Sequence, residues 1–95
     1  LPSVFISSDE AIYNNSSYDT NFYQNVILTY EDHKITSDKL DLVFSKDMIT
    51  SYNNVIYNNS KTKLKADKVI VDLITKDSKI FMYNKKNKIN IVSNQ

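Results

Sequence analysis

The 95-residue sequence has no glycine, no cysteine, no tryptophan and no arginine, with a single proline and a single histidine. The missing cysteine excludes disulfides and thiolate zinc sites, and leaves the redox compartment unread. The missing glycine excludes the backbone loops that cradle phosphates. Arginine supplies the planar fork that reads phosphate and guanine. Its absence, with Lys and acidic residues mixed to a net charge of +1, argues against a nucleic-acid partner. The run Lys85, Lys86, Lys88 reads as a solvated turn. No apolar stretch approaches the roughly 20 residues that span a bilayer. The start, Leu1-Pro2-Ser3-Val4-Phe5-Ile6, lacks the basic region of a signal peptide, so the expectation is either a soluble chain or one parted from its anchor. His33 stands beside Asp32 in a predicted turn without local partners and reads as an exposed turn residue. With no serine nucleophile motif and no His-containing metal spacing, no catalytic residue, metal site or cofactor is assigned, and an enzyme is not expected.

What the chain does contain is bulk and alternation. Hydrophobic residues make up 41% and include seven Tyr and four Phe, enough for one core, and a chain this short supports only one domain. Turns must be made by Asn, Asp and Ser, which tolerate left-handed or side-chain-closed backbone. Their clusters fall at Asn14 to Ser17, Glu31 to His33, Ser45 to Asp47, Asn58 to Ser60, Lys76 to Ser78 and Asn84 to Asn87. The runs between them, about five to nine residues, have strand rather than helix length. Alternation with period two places Val26, Leu28 and Tyr30 on one face of their run, then Leu40, Leu42 and Phe44, then Val69, Val71 and Leu73. Val55, Tyr57, Ile80 and Met82 complete the inward set.

The sequence also matches itself at a period of about 29 residues. Ser8-Asp9-Glu10-Ala11 aligns with Ser37-Asp38-Lys39-Leu40 and Ala66-Asp67-Lys68-Val69, and Tyr23-Gln24-Asn25-Val26-Ile27 aligns with Tyr52-Asn53-Asn54-Val55-Ile56. Units of residues 8–36, 37–65 and 66–95 follow. Asp9, Asp38 and Asp67 could form a carboxylate cluster, but equivalent positions in repeats share a structural role, here the opening of a strand. Stacked units give an all-β domain: a sandwich, a rolled V or a twisted jelly roll with open ends. Such a sheet leaves edges, and the apolar runs Val4, Phe5, Ile6 and Ile89, Ile91, Val92 are the candidates for pairing with other chains.

The repeated small residue, Asp, Lys and alternating apolar residues, followed by Asn-Val, resemble the OstA-like family of periplasmic lipopolysaccharide-transport domains from Ser8 to Val92. Thr62 to Met82 and Ser8 to Tyr13 look most like its LptC branch. Family members carry Gly before the Asn-Val, where this chain has Gln24 and Asn53, and the helix that anchors LptC-type domains in the inner membrane is not in this chain. The resemblance implies a twisted β-jelly roll in the periplasm, whose inward residues hold the lipid A acyl chains of lipopolysaccharide. It also implies pairing of one edge with inner-membrane transporter subunits and of the other with an LptA-like periplasmic protein. The competing reading is a β-sandwich interaction or cell-surface module with a dry core.

Overall fold

The computed structural model describes residues 4–83 and 88–93, with side chains as far as Met82. The fold is all-β, a single antiparallel sheet built from β1 (Val4–Ser7), β2 (Glu10–Tyr13), β3 (Thr20–Tyr30), β4 (His33–Val43), β5 (Met48–Asn58), β6 (Lys63–Asp72), β7 (Ser78–Tyr83) and β8 (Lys88–Ser93). From β3 onward each strand pairs with the next. β1 and β2 lie end to end along the other edge of β3, from Val4↔Tyr30 to Tyr13↔Thr20. The sheet does not close, and its outer edges are β1 with β2 on one side and β8 on the other. The expected turn at Asn84 to Asn87 lies outside the described residues.

The central strands exceed the expected five to nine residues: β3, β4 and β5 have 11 each and β6 has 10. Polar pairs within them mark bulges rather than ends. The register shifts between Tyr23 and Val26, between Thr36 and Lys39, and between Tyr52 and Val55. These irregularities line up across the sheet with the Ser8-Asp9 break between β1 and β2. A bulge bends its strand, and a row of bulges bends the whole sheet into a corner. The first halves of β4 and β6, the second halves of β3 and β5, and β1 make one leaf. The remaining halves with β2, β7 and β8 make the other.

Burial shows that the leaves face each other. Val26, Leu28, Ile35, Leu40, Ile49 and Val69 are 0% exposed. Since no α-helix lies among the described residues, only the sheet itself can cover them. The shortest molecular dimension, 22 Å, accommodates two sheet layers at about 10 Å spacing. The inward phase of β4 runs His33, Ile35, Ser37 and then, past the bulge, Leu40. In β6 the partly buried Leu64 and Ala66 give way to the buried Val69 and Val71 in the same manner.

Local features recur with the sequence period. Left-handed residues stand at Tyr18, Asp47 and Lys76, in the three turns at one end of the sheet, and at the paired bulge positions Gln24 with Asn25 and Asn53 with Asn54, with Glu31 outside the period in the β3–β4 turn. The Asn25 amide donates to Asp9 Oδ2 (2.7 Å), and the Asn54 amide donates to Asp38 Oδ2 (2.6 Å). The Ser8 hydroxyl donates to the Glu10 carbonyl and the Ser37 hydroxyl to the Lys39 carbonyl. The repeated Ser-Asp is thus a clasp on the bulge of the neighbouring strand. Asp9 does precede β2, but Asp38 and Asp67 lie inside β4 and β6 rather than opening them.

Candidate functional site

The inward residues form one continuous apolar face. Val26, Leu28, Tyr30, Leu40, Val55, Tyr57, Val69, Val71 and Ile80 are buried, while Leu42, Leu73 and Met82 are partly buried against them. Phe44 departs from expectation: β4 stops at Val43, and Phe44 starts a short 3-10 turn and is 56% exposed against the Tyr18 ring. Ile35 and Ile49 belong to the core and escaped the sequence reading, because Thr36, Ser37, Thr50 and Ser51 beside them dilute the apolar alternation. Ser37 and Ser51 are themselves buried.

The middle of this face is tightly covered, whereas its two lateral ends are not. On the β1 side Val4 and Ile6 are partly buried. On the other side β7 pairs with β6 only from Lys68 to Val71, so Lys63 to Ala66 pair with β5 alone among the described residues. The partly buried Leu64, Ala66 and Met82 lie there, and Val55, Ala66 and Met82 line a cleft of about 360 Å³ together with Ile56 and the polar Asn54, Lys65 and Asp67. Apolar side chains of the inner face therefore come partly to the surface at β1 and beside the first half of β6.

His33 corrects the turn reading most sharply. It is the first residue of β4, in phase with Ile35, and only 1% exposed. Its ring packs between Tyr30 (4.7 Å) and Tyr57 (5.6 Å), and its Nδ1 is 2.6 Å from the Tyr57 hydroxyl. That hydroxyl also accepts from the Asn59 amide. Nε2 lies 3.7 Å from Glu31 Oε1 and 3.6 Å from Asp32 Oδ1, near both carboxylates but without a hydrogen-bond partner. Asp32 accepts from the Ser60 hydroxyl and backbone N–H, which ties two turns together and holds its carboxyl below the usual range, with smaller help from His33.

Burial pushes the Tyr30 hydroxyl up to about 12. The Ser78 hydroxyl on the opposite leaf opposes this rise, although the two do not meet hydrogen-bond geometry. Ser51 Oγ is likewise buried without a partner. Tyr30, His33 and Tyr57 thus gather on the inner face beside the Glu31-Asp32 turn. Among the described residues no group of three His, Cys, Asp or Glu could hold a metal ion.

At the edges, Val4 and Ile6 are partly buried and Phe5 is 67% exposed on β1. Ile89, Ile91 and Val92 lie on β8 at register positions Met82↔Ile89, Ile80↔Ile91 and Lys79↔Val92. Both runs named from the sequence thus fall on outermost strands. No protein-family model matches the chain, and no characterised protein matches its sequence significantly.

Proposed function

We propose that this domain is a non-enzymatic carrier of the OstA-like, LptC-like kind. In this reading it is a repeat-built jelly roll in the periplasm, attached to the inner membrane, that holds the acyl chains of lipopolysaccharide between its leaves. It passes them from an inner-membrane transporter to an LptA-like bridge during outer-membrane assembly. The observation that carries the reading is an apolar inner face that comes partly to the surface at β1 and beside the first half of β6, in a sheet that does not close. Acyl chains gain about 0.8 kcal/mol per buried CH₂ on such a face. A track open at both ends lets them enter and leave. The free edges suit end-to-end assembly by strand addition, which would align the interiors of successive domains.

One observation favours the second reading, an interaction or cell-surface module without cargo: the middle of the inner face is covered to 0% exposure. Loading requires the leaves to part about the row of bulges. Photo-crosslinking separates the two readings. A benzophenone side chain at Leu64 or Met82 should capture lipopolysaccharide, and one at the exposed Lys34 should not. Equal labelling at all three, or no labelling by a folded domain that still binds its partner, would leave the module without cargo as the better description.

A further inference from the structure

Among the described residues the exposed large apolar side chains are Phe5, Ile12, Tyr13, Tyr18, Phe44 and Ile74, and four of them share one end of the sheet. Tyr13, Tyr18, Phe44 and Ile74 sit at one end of the sheet, where the register Thr20↔Leu42, Val43↔Met48 and Met48↔Asp72 sets three turns side by side. The turns are laced together: Phe44 N–H donates to Asp19 Oδ1 (2.9 Å) and Leu73 N–H to the Asp47 carbonyl (2.8 Å). The Tyr18 ring lies 6.1 Å from Tyr13 and 5.6 Å from Phe44. At the opposite end, the turns Glu31-Asp32 and Asn59 to Thr62 hold only polar residues.

We propose that this apolar tip enters the headgroup and acyl boundary of a lipid bilayer. The apolar side chains belong to the turns themselves and the strand end beside them, with the Tyr13, Tyr18 and Phe44 rings in contact and Ile74 72% exposed. The backbone of the tip is also prepared for leaving water. Asn14 Oδ1 accepts from Ser16 and Ser17 N–H, and Asp72 Oδ1 accepts from Ile74 and Thr75 N–H. Asp72, Lys76 and Asp77 N–H are bonded within their own turn, so the 72% exposed Ile74 sits on a crest whose amides are already satisfied. Tyrosine is the side chain of membrane interfaces, with an apolar ring and a wet hydroxyl. Charge does not drive the contact, because Asp19, Asp47, Asp72 and Asp77 outnumber Lys46 and Lys76 at this end. Binding therefore needs no anionic lipid and survives salt.

The test uses neutral phosphatidylcholine vesicles. The whole domain should float with them equally at low and high salt, and a combined Phe44→Ser, Ile74→Ser variant should partition about tenfold less. Phe5→Ser, an exposed position away from the tip, should partition like the parent. Because the chain has no Trp, Phe44→Trp supplies a single reporter whose emission should shift to the blue on adding vesicles. The proposal fails if the parent does not float with neutral vesicles, or if the double variant floats as well as the parent. It also fails if the tip substitutions abolish capture of a protein partner while vesicle binding is unchanged.

Discussion

Tyr30 is buried with its hydroxyl short of a partner, and that makes it the residue through which alkaline pH acts on this fold. Its folded-state pKa of about 12, raised by burial, exceeds the ordinary value of 10.0 for the unfolded chain. A raised pKa means that the folded state keeps the proton longer. The neutral ring therefore contributes its full stability below pH 10, and that contribution is lost as pH rises from there towards 12. The loss amounts to about 2–3 kcal/mol. Tyr52, raised by its own burial and by Asp41, adds a smaller fall in the same direction. Tyr30→Phe should leave stability near pH 7 within about 1 kcal/mol of the parent, since the lost hydroxyl is unpartnered, and should make the alkaline fall shallower. Urea melts from pH 7 to 11 measure both, and an unchanged slope in the variant would assign the fall elsewhere. The neighbouring His33 offers the contrast. Its Nδ1 contact with the Tyr57 hydroxyl is made in the core, so His33→Ala should cost about 2–4 kcal/mol in the same melts. The sequence did hold the signal for this burial, because His33 alternates in phase with Ile35. The acidic pair Glu31-Asp32 before it outweighed that phase and made it look like part of the turn.

At the scale of the strand, the residues that looked like punctuation turn out to be joints. Gln24 and Asn53 occupy the places where the OstA-like pattern has Gly, and both have positive φ, 64° and 65°. A left-handed non-glycine residue costs roughly 1 kcal/mol, less for Asn, whose short side chain bonds locally. Gln24→Gly should therefore stabilise the domain by up to about 1 kcal/mol, a rise of several degrees in Tm for a chain of this size. Asn54→Ala should do the reverse, losing the Asp38 hydrogen bond and the polar side chain that eases a backbone at φ 55°, for about 1–2 kcal/mol. Thermal melts of the two variants should move in opposite directions. If both move down, the bulge depends on the side chain of Gln24 rather than on its backbone angle. The period of about 29 residues was legible because these joints demand the same residue types each time. What the joints do was not legible. Asn-rich pairs close hairpins as readily as they bulge strands, and only the partner register distinguishes the two.

For the whole molecule, alternation revealed an all-β domain and its main inner face, and it placed Val4 to Ile6 and Ile89 to Val92 on outer strands. The repeat offered a rolled V among its alternatives, but alternation could not reveal where the sheet turns over. Folding over depends on bulges lining up across several strands, and no single strand carries that alignment. The outer edges are the property of the whole on which the proposed carrier function depends. β8 pairs through its six residues with β7, from Lys88↔Tyr83 to Ser93↔Ser78, and Ile80, opposite Ile91, is core. Deleting β8 would therefore strip cover from Ile80 as well as remove a docking edge, and the result would be ambiguous. Single prolines are cleaner. In an antiparallel strand, neighbouring residues direct their N–H groups alternately towards the partner strand and away from it, so Ile91→Pro and Val92→Pro test the two sides of β8 separately. The variant whose proline replaces an inward N–H loses a bond to β7 and should melt several degrees lower. The other removes only an outward donor, so it should melt within a few degrees of the parent and yet lose capture of an LptA-like partner. Partner capture at parental level by that second, well-folded variant would exclude the outer edge of β8 as the docking strand. The proposed docking would then be tested next at the opposite edge, where Val4 to Ser7 pair with β3 alone among the described residues.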